Sequence, residues 1–168
     1  DFVHTKFSTQ DTLSYSYRYI LMLQELTQFR LSQNNTDALI DVTLQRYSYG
    51  NNQANFDGKN DAHHDALIAL DKENKHPDIR YAIAEWMSEN QARHPEITKQ
   101  SVVTYCNAIV SDFPASNGAA NAKLLLQSIL QKNFSLSGEN AVMSKKPFLI
   151  YTQYQNIEKL YVKIIKIE

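Results

Sequence analysis

The chain has 168 residues, of which 43% are hydrophobic, and its formal net charge at pH 7 is −1. This is the size of one ordinary domain, able to bury a core without metal ions or disulfides, and the near-zero charge argues against a general attraction to nucleic acid or to an anionic membrane. The single cysteine excludes an internal disulfide and a multi-cysteine metal site, and no apolar run approaches the roughly eighteen residues of a membrane span. Because the chain begins at Asp1 and not at Met, we expect a processed or partial product, and its localisation stays unknown.

Two helices are predicted in the first third of the chain. Residues 11–32 carry two neighbouring apolar stripes at helical spacing, which predicts a long helix that is central to the fold. Residues 36–49 open with Thr36 and Asp37, a typical helix start, although Val42 and Leu44 also fit a strand. We predict a short helix there.

Four more helices are predicted after a polar, glycine-punctuated stretch, residues 50–65. Asp61 is placed to cap a helix that runs to about residue 74. Pro77 suits the first turn of the next helix, which runs to about residue 91, and Thr98 is a cap for a helix to about residue 111. The last helix, residues 117–132, is predicted to bury four side chains: Leu125, Leu126, Ile129 and Leu130.

The C-terminal segment has a different composition. Residues 147–154 and 159–167 are rich in β-branched and aromatic side chains and are separated by a plausible loop at 155–158, which predicts an antiparallel hairpin at about 147–167. The predicted fold class is therefore α+β and mainly α, a single domain over residues 1–168 with five or six helices around one core and a C-terminal antiparallel β-hairpin.

Chemically active side chains are densest at the end of the polar stretch. Asp61, His64 and Asp65 fall at positions i, i+3 and i+4 of the predicted helix and would share one face, with Asp57 as a possible fourth ligand of a divalent metal ion. The neighbouring His63 and His64 are also candidates for a catalytic acid or base. The alternative is a capping aspartate followed by solvated histidines, since a helix N-terminus disfavours a nearby cation.

Two other patterns in the sequence are weaker. The stretch has Asn55, Asp57 and Gly58 at the third, fifth and sixth positions of a calcium loop, but Gln53 and His64 stand where the first and twelfth ligands should be, so we reject an EF-hand. Cys106 lies on the apolar stripe of its predicted helix, which is typical of a core cysteine and not of an activated thiolate.

A third pattern in the sequence is the arrangement of three predicted helices. Helices at about 62–74, 78–91 and 98–111 are similar to the three-helix core of a helix-turn-helix domain, and this resemblance would direct four side chains toward DNA: Arg93, Lys99, Gln100 and Thr104. Residues 61–113, however, contain five Lys or Arg and nine Asp or Glu, an acidic excess that repels phosphate.

The function that the sequence favours is a non-enzymatic protein-interaction module, of an accessory, adaptor or inhibitor type, that binds another protein through a surface rich in Tyr, Asn and Gln and through the hairpin edge. The sequence indicates no cofactor and leaves the oligomeric state open. A hydrolase or nuclease with a His/Asp site near residues 57–65 is one alternative, so catalysis stays open; a helix-turn-helix DNA-binding domain at about 62–111 is the other.

Overall fold

The computed structural model describes residues 2–139, 146–163 and 165, and the chain divides into two compact units, Asp1–Lys123 and Leu124–Glu168. The described part contains a short 3-10 helix at Phe2–His4, six α-helices and one antiparallel sheet of two strands, which confirms the predicted fold class. Whether the two units form a single domain stays a prediction. The regular elements are α1 (Tyr15–Ser32), α2 (Thr36–Gln53), α3 (Lys59–Asn74), α4 (Pro77–Glu89), α5 (Lys99–Asp112), α6 (Asn117–Leu130), β1 (Asn133–Gly138) and β2 (Ile150–Gln155).

Local capping chemistry sets several helix starts. The predicted cap Thr98 is confirmed, since its hydroxyl accepts a hydrogen bond from the Ser101 backbone N–H. Pro77 occupies the first turn of α4, as predicted, and the preceding His76 caps that helix by accepting from the Asp78 N–H. These pairings satisfy backbone donors that a helix leaves free at its N-terminus.

Two predicted boundaries near the polar stretch are wrong. The helix expected at 36–49 continues to Gln53, so that Gly50 lies inside α2 and not in a loop. The following helix begins at Lys59, because Gly58 adopts the left-handed φ of +82° and turns the chain into it. Asp61 therefore lies in the first turn of α3, where its charge suits the helix dipole, and is not the capping residue.

One buried cluster of the first unit lies where α2, α3 and α4 meet. Ile40, Leu67, Ile79 and Ile83 are almost fully buried and form one cluster, against which partly buried side chains of α2, α3, α4 and α5 pack. Each helix from α1 to α5 packs against the next one, and α5 follows α4 after the longer connection at residues 90–98. α2 and α4 also contact each other directly.

The prediction that the first helix is central is wrong. α1 packs against α2 and the 3-10 helix, and it buries only Leu23 and Thr27, whereas Tyr15 is 89% exposed. Its apolar residues cover too much of its circumference to face one neighbour, so the period alone does not reveal which stripe is buried.

α6 buries the predicted face only in part: Leu125, Leu126 and Ile129 lie on it but are partly buried, and smaller residues of the same face are the fully buried ones. Gly118, Ala119 and Ala122 are its buried residues, and Leu130, expected in the core, is 57% exposed. The reason is a close approach of backbones: a Cβ atom on Gly118 would lie 2.3 Å from the Pro77 carbonyl oxygen. Small side chains, and not leucines, permit that approach.

The hairpin is present, but one of its strands was assigned to the wrong segment. β2 overlaps the first predicted strand and ends one residue beyond it, whereas its antiparallel partner is β1, which precedes it in the chain. Of the second predicted strand, 159–167, the described residues are not in a strand, and residues 164, 166 and 167 lie outside the described part. β1 lacks the β-branched composition that guided the assignment, since it alternates Asn and Ser with Phe and Leu.

Candidate functional site

The candidate metal ligands do not converge. Asp57 is exposed in the loop before α3, while Asp61, His64 and Asp65 lie along that helix at the predicted spacing. Within residues 2–139, 146–163 and 165, no group of three or more His, Cys, Asp or Glu side chains is arranged to hold a metal ion. The geometry therefore gives the metal hypothesis no support.

His64 instead belongs to an aromatic cluster. Its imidazole stacks on the indole of Trp86, with ring centroids 3.9 Å apart and an interplanar angle of 12°, and His94 packs on the same indole at 5.1 Å. The Trp86 Nε1–H donates to the Asn60 carbonyl oxygen at 2.8 Å, which fixes α4 to the first turn of α3. Such stacking stabilises the contact between the two helices beyond the area that it buries.

His94 is held between two carboxylates. Its Nε2 lies 3.0 Å from Asp61 Oδ1 and its Nδ1 lies 3.0 Å from Glu96 Oε1. Each carboxylate only accepts, so both contacts are hydrogen bonds when the ring carries two protons. With both nitrogens occupied, His94 has no free nitrogen to exchange a proton with a substrate.

The two neighbouring histidines of α3 are biased toward the neutral form. Burial lowers the pKa of His63, and the adjacent His64 lowers it further. Burial also lowers the pKa of His64, although Asp65 and Asp61 oppose the effect and His94 adds to it. Of the two, His63 is the one that lines cavities, so its neutral ring is the better candidate for proton transfer.

A large polar cleft lies beside these histidines, within the first unit. It has a volume of about 1130 Å³ and is walled by one face of α2 and one face of α4, with parts of α3 and the start of α6. Six asparagines, Tyr19, Tyr49, Tyr81 and Trp86 contribute amide and aromatic surface, and the asparagines are Asn51, Asn52, Asn60, Asn90, Asn117 and Asn121. A smaller cavity of about 230 Å³ shares His63 and Asn51 with it.

The charge of the cleft is unbalanced. It contains four carboxylates, Asp41, Asp78, Glu85 and Glu89, against the single guanidinium of Arg93. Among the described ion pairs, none joins these carboxylates to a lysine or an arginine; Asp78 lies 3.8 Å from the His76 ring. Negative charge that lines a concave wall concentrates the field inside it.

Two hydrogen-bonding groups of the cleft have unusual surroundings. The Tyr81 hydroxyl donates to Glu85 at 3.0 Å, and burial together with this hydrogen bond raises the pKa of Tyr81 to about 12, so the phenol stays protonated. The Asn51 Oδ1 atom is buried and has no hydrogen-bond partner. A buried acceptor without a donor costs free energy.

The other sequence candidates are dispersed. Arg93 lines the cleft, whereas Lys99, Gln100 and Thr104 are exposed on α5. Cys106 is fully buried in α5, as expected of a core cysteine, and burial raises the pKa of its thiol. The proposed DNA-reading set stays untested, and an inert thiol follows from the burial of Cys106.

Sequence reasoning missed Trp86 and His94 as parts of one site. The contact between His94 and Asp61 joins residues 33 positions apart, and no local pattern encodes it. The cleft was missed for the same reason, because its two main walls come from helices separated by α3.

Comparison with known proteins adds no assignment: no family model, no curated protein and no solved structure matches the chain. Among the described residues, no helix has the length and apolar character needed to cross a bilayer.

Proposed function

We propose that the protein is a non-enzymatic protein-interaction module whose binding surface is the apolar face of the two-stranded ribbon β1–β2. The observation that carries the proposal is the segregation of side chains on that ribbon. Cα partners in the antiparallel register share a face, so one side carries Phe134, Leu136, Gly138, Ile150, Thr152 and Tyr154. The opposite face carries Asn133, Ser135, Ser137, Tyr151, Gln153 and Gln155.

An amphipathic ribbon of this kind is expected to cover its apolar face. Phe134, Leu136 and Tyr154 remain 45%, 51% and 65% exposed. Each large apolar or aromatic side chain gains roughly 1.5–3 kcal/mol on full burial, so covering these three would contribute several kcal/mol to an association. Tyr and Phe are also rigid anchors of the kind that dominate protein interfaces.

The partner that suits this ribbon is an extended segment of another protein. The sheet has two strands in the described part of the chain, so each strand has an edge whose alternate N–H and C=O groups lack a strand partner. A partner strand would hydrogen-bond to such an edge and place alternate side chains on the apolar face. A two-stranded ribbon is only marginally stable alone, and a third strand would stabilise it.

The ribbon offers a matched pair of variants that tests this proposal. Tyr151 and Tyr154 lie on the same strand and are 66% and 65% exposed, but they point to opposite faces. In affinity capture from the native source, we expect a polypeptide that wild type and Tyr151→Ser retain and Tyr154→Ser loses. With that polypeptide purified, Tyr154→Ser should weaken binding by about 2 kcal/mol, which is roughly thirtyfold. Equal retention by both variants, or no ribbon-dependent polypeptide, would refute the proposal.

One observation favours the second candidate function, a hydrolase or nuclease, at His63 and not at His64. His63 lines both the cleft and the smaller cavity, and its lowered pKa keeps the ring neutral at pH 7, as a general base requires. The test is a panel of ester, peptide and phosphodiester substrates. Activity that falls by two to four orders of magnitude in His63→Ala but not in His64→Ala would support this candidate, and a panel without turnover would dismiss it.

A further inference from the structure

We propose that the polar cleft of the first unit is a binding site for an organic cation that carries several alkylammonium groups, such as a free polyamine or the lysine side chains of a peptide. The proposal concerns a second site, separate from the ribbon, and does not depend on the proposed function. Its starting point is the cavity itself, about 1130 Å³, which is large enough for a ligand of that size.

The carboxylates of α4 are arranged in a row. Asp78, Glu85 and Glu89 all line the cleft, at helical positions seven and four residues apart. With a rise of 1.5 Å per residue, the row spans roughly 16 Å along the wall. A linear ligand whose positive charges are separated by short methylene chains matches a row of charges better than a compact ion does.

The charge balance selects a cation over a neutral polyol. Asp41 adds a carboxylate from the α2 wall, and none of the four is neutralised by a lysine or arginine among the described ion pairs. Sugars would use the asparagines and aromatic rings equally well but would leave this charge uncompensated. An ammonium group satisfies both the carboxylates and the aromatic faces.

A metal ion is disfavoured by the spacing of the same groups. No three His, Cys, Asp or Glu side chains of the described residues lie close enough to hold one. Carboxylates that are spaced along one wall are the groups that several ammonium donors on one chain would satisfy.

Calorimetric titration with spermidine, at low salt, is the direct test, and the fluorescence of Trp86, the only tryptophan, supplies a second signal from the cleft wall. We expect saturable binding that weakens as NaCl is added, because salt screens exposed charges. Glu85→Gln/Glu89→Gln keeps the size of both side chains and the acceptor of the Tyr81 hydroxyl. It should weaken binding about three- to thirtyfold.

The control changes the same net charge elsewhere. Glu25 and Glu73 are exposed residues of α1 and α3 outside the cleft, so Glu25→Gln/Glu73→Gln should bind spermidine like wild type. The variant Tyr154→Ser, which is changed on the ribbon, should also bind spermidine with the affinity of wild type. Spermidine binding therefore tests the cleft alone, and loss of the protein partner in this variant tests the proposed function alone.

Three further ligands identify the chemistry. A capped peptide of alternating Gly and Lys distinguishes lysine side chains from a free polyamine, and binding of either probe supports the proposal. Maltose and MgCl₂ at matched ionic strength represent neutral polyols and point charges, and both should bind at least tenfold more weakly than spermidine. The proposal is overturned if neither cationic probe binds at millimolar concentration, if maltose or Mg²⁺ binds as well, or if the two double variants lose equal affinity.

Discussion

Replacing Gly118 by alanine is the sharpest test of how α6 is held against the start of α4. A Cβ atom there would meet three backbone atoms: the Pro77 carbonyl oxygen at 2.3 Å, the Pro77 carbonyl carbon at 2.4 Å and the Asp78 nitrogen at 2.9 Å. Ordinary contact begins at 3.4 Å, so the two segments must separate by about 1 Å. Backbone cannot move aside as a flexible side-chain tip can.

The magnitude follows from two opposing terms. Overpacking of this kind costs about 1–3 kcal/mol, and we expect the upper end because all three obstacles are backbone atoms. Alanine recovers up to about 1 kcal/mol over glycine inside a helix. The net loss of unfolding free energy should therefore be about 2 kcal/mol, equivalent to a fall in Tm of about 4–8 °C for a chain of this size.

Gly50 is the matched control. It also lies in a helix, but a Cβ atom there would have no neighbour within 4 Å. Gly50→Ala should stabilise the protein by up to about 1 kcal/mol, so the two variants should differ by about 3 kcal/mol. Urea unfolding followed by the fluorescence of Trp86 measures both within the first unit. Equal midpoints for Gly118→Ala and wild type would refute the close approach of α6 to Pro77.

Two further predictions concern the titratable groups of the first unit. The pKa of His63 and of His64 is lowered in the folded protein, so the unfolded chain takes up protons first as the pH falls. The contribution of these two residues to the free energy of unfolding is therefore complete above about pH 6.5. It is lost as the pH drops below that value toward the folded-state pKa. Unfolding free energies measured from pH 7.5 to 5 should fall less steeply in His63→Gln/His64→Gln, and an unchanged slope would contradict the assignment. Cys106 is fully buried and its pKa is raised, so a thiol-reactive disulfide reagent should modify it at the rate of protein opening and not at the rate of a free thiol. If the Cys106 thiol reacts rapidly in the native protein, and urea does not accelerate the reaction, then α5 does not bury this residue.

The sequence predicts the helices well because their signals are local. Thr98 and Pro77 act within one turn of their own helices, and apolar spacing identifies each helical segment. A predicted helix boundary is wrong where a single backbone angle sets the start of the helix. At Gly58 the left-handed conformation places the start of α3 before Asp61.

Burial and pairing are harder to predict, since they depend on distant partners. Gly118 and Ala122 of α6 are buried more deeply than Leu125 on the same face, because the close approach to Pro77 selects small residues. No pattern within residues 117–132 predicts that neighbour. The ribbon pairs β2 with β1, a strand of Ser, Asn, Phe and Leu that has an alternating pattern but no β-branched residue.

In the candidate site, too, local features are predictable from the sequence and contacts between distant residues are not. His63 and His64 were identifiable as residues of interest, but the stack of His64 on Trp86 and the contact of His94 with Asp61 arise only when α3, α4 and the 90–98 connection fold together. The acidic cleft likewise needs α2 and α4 to face the same space. Its charge was visible as an acidic excess over residues 61–113, but not its concavity.

The ribbon face is tested most directly by comparing the affinity of Tyr151→Ser and Tyr154→Ser for one purified partner, captured with wild-type protein from its native source. The two tyrosines match in residue type, strand and exposure and differ in the face that they occupy. If the apolar face of β1–β2 binds a partner chain, Tyr154→Ser weakens binding by roughly thirtyfold and Tyr151→Ser leaves it near the wild-type value. Equal affinities for the two variants would contradict a binding role for that face.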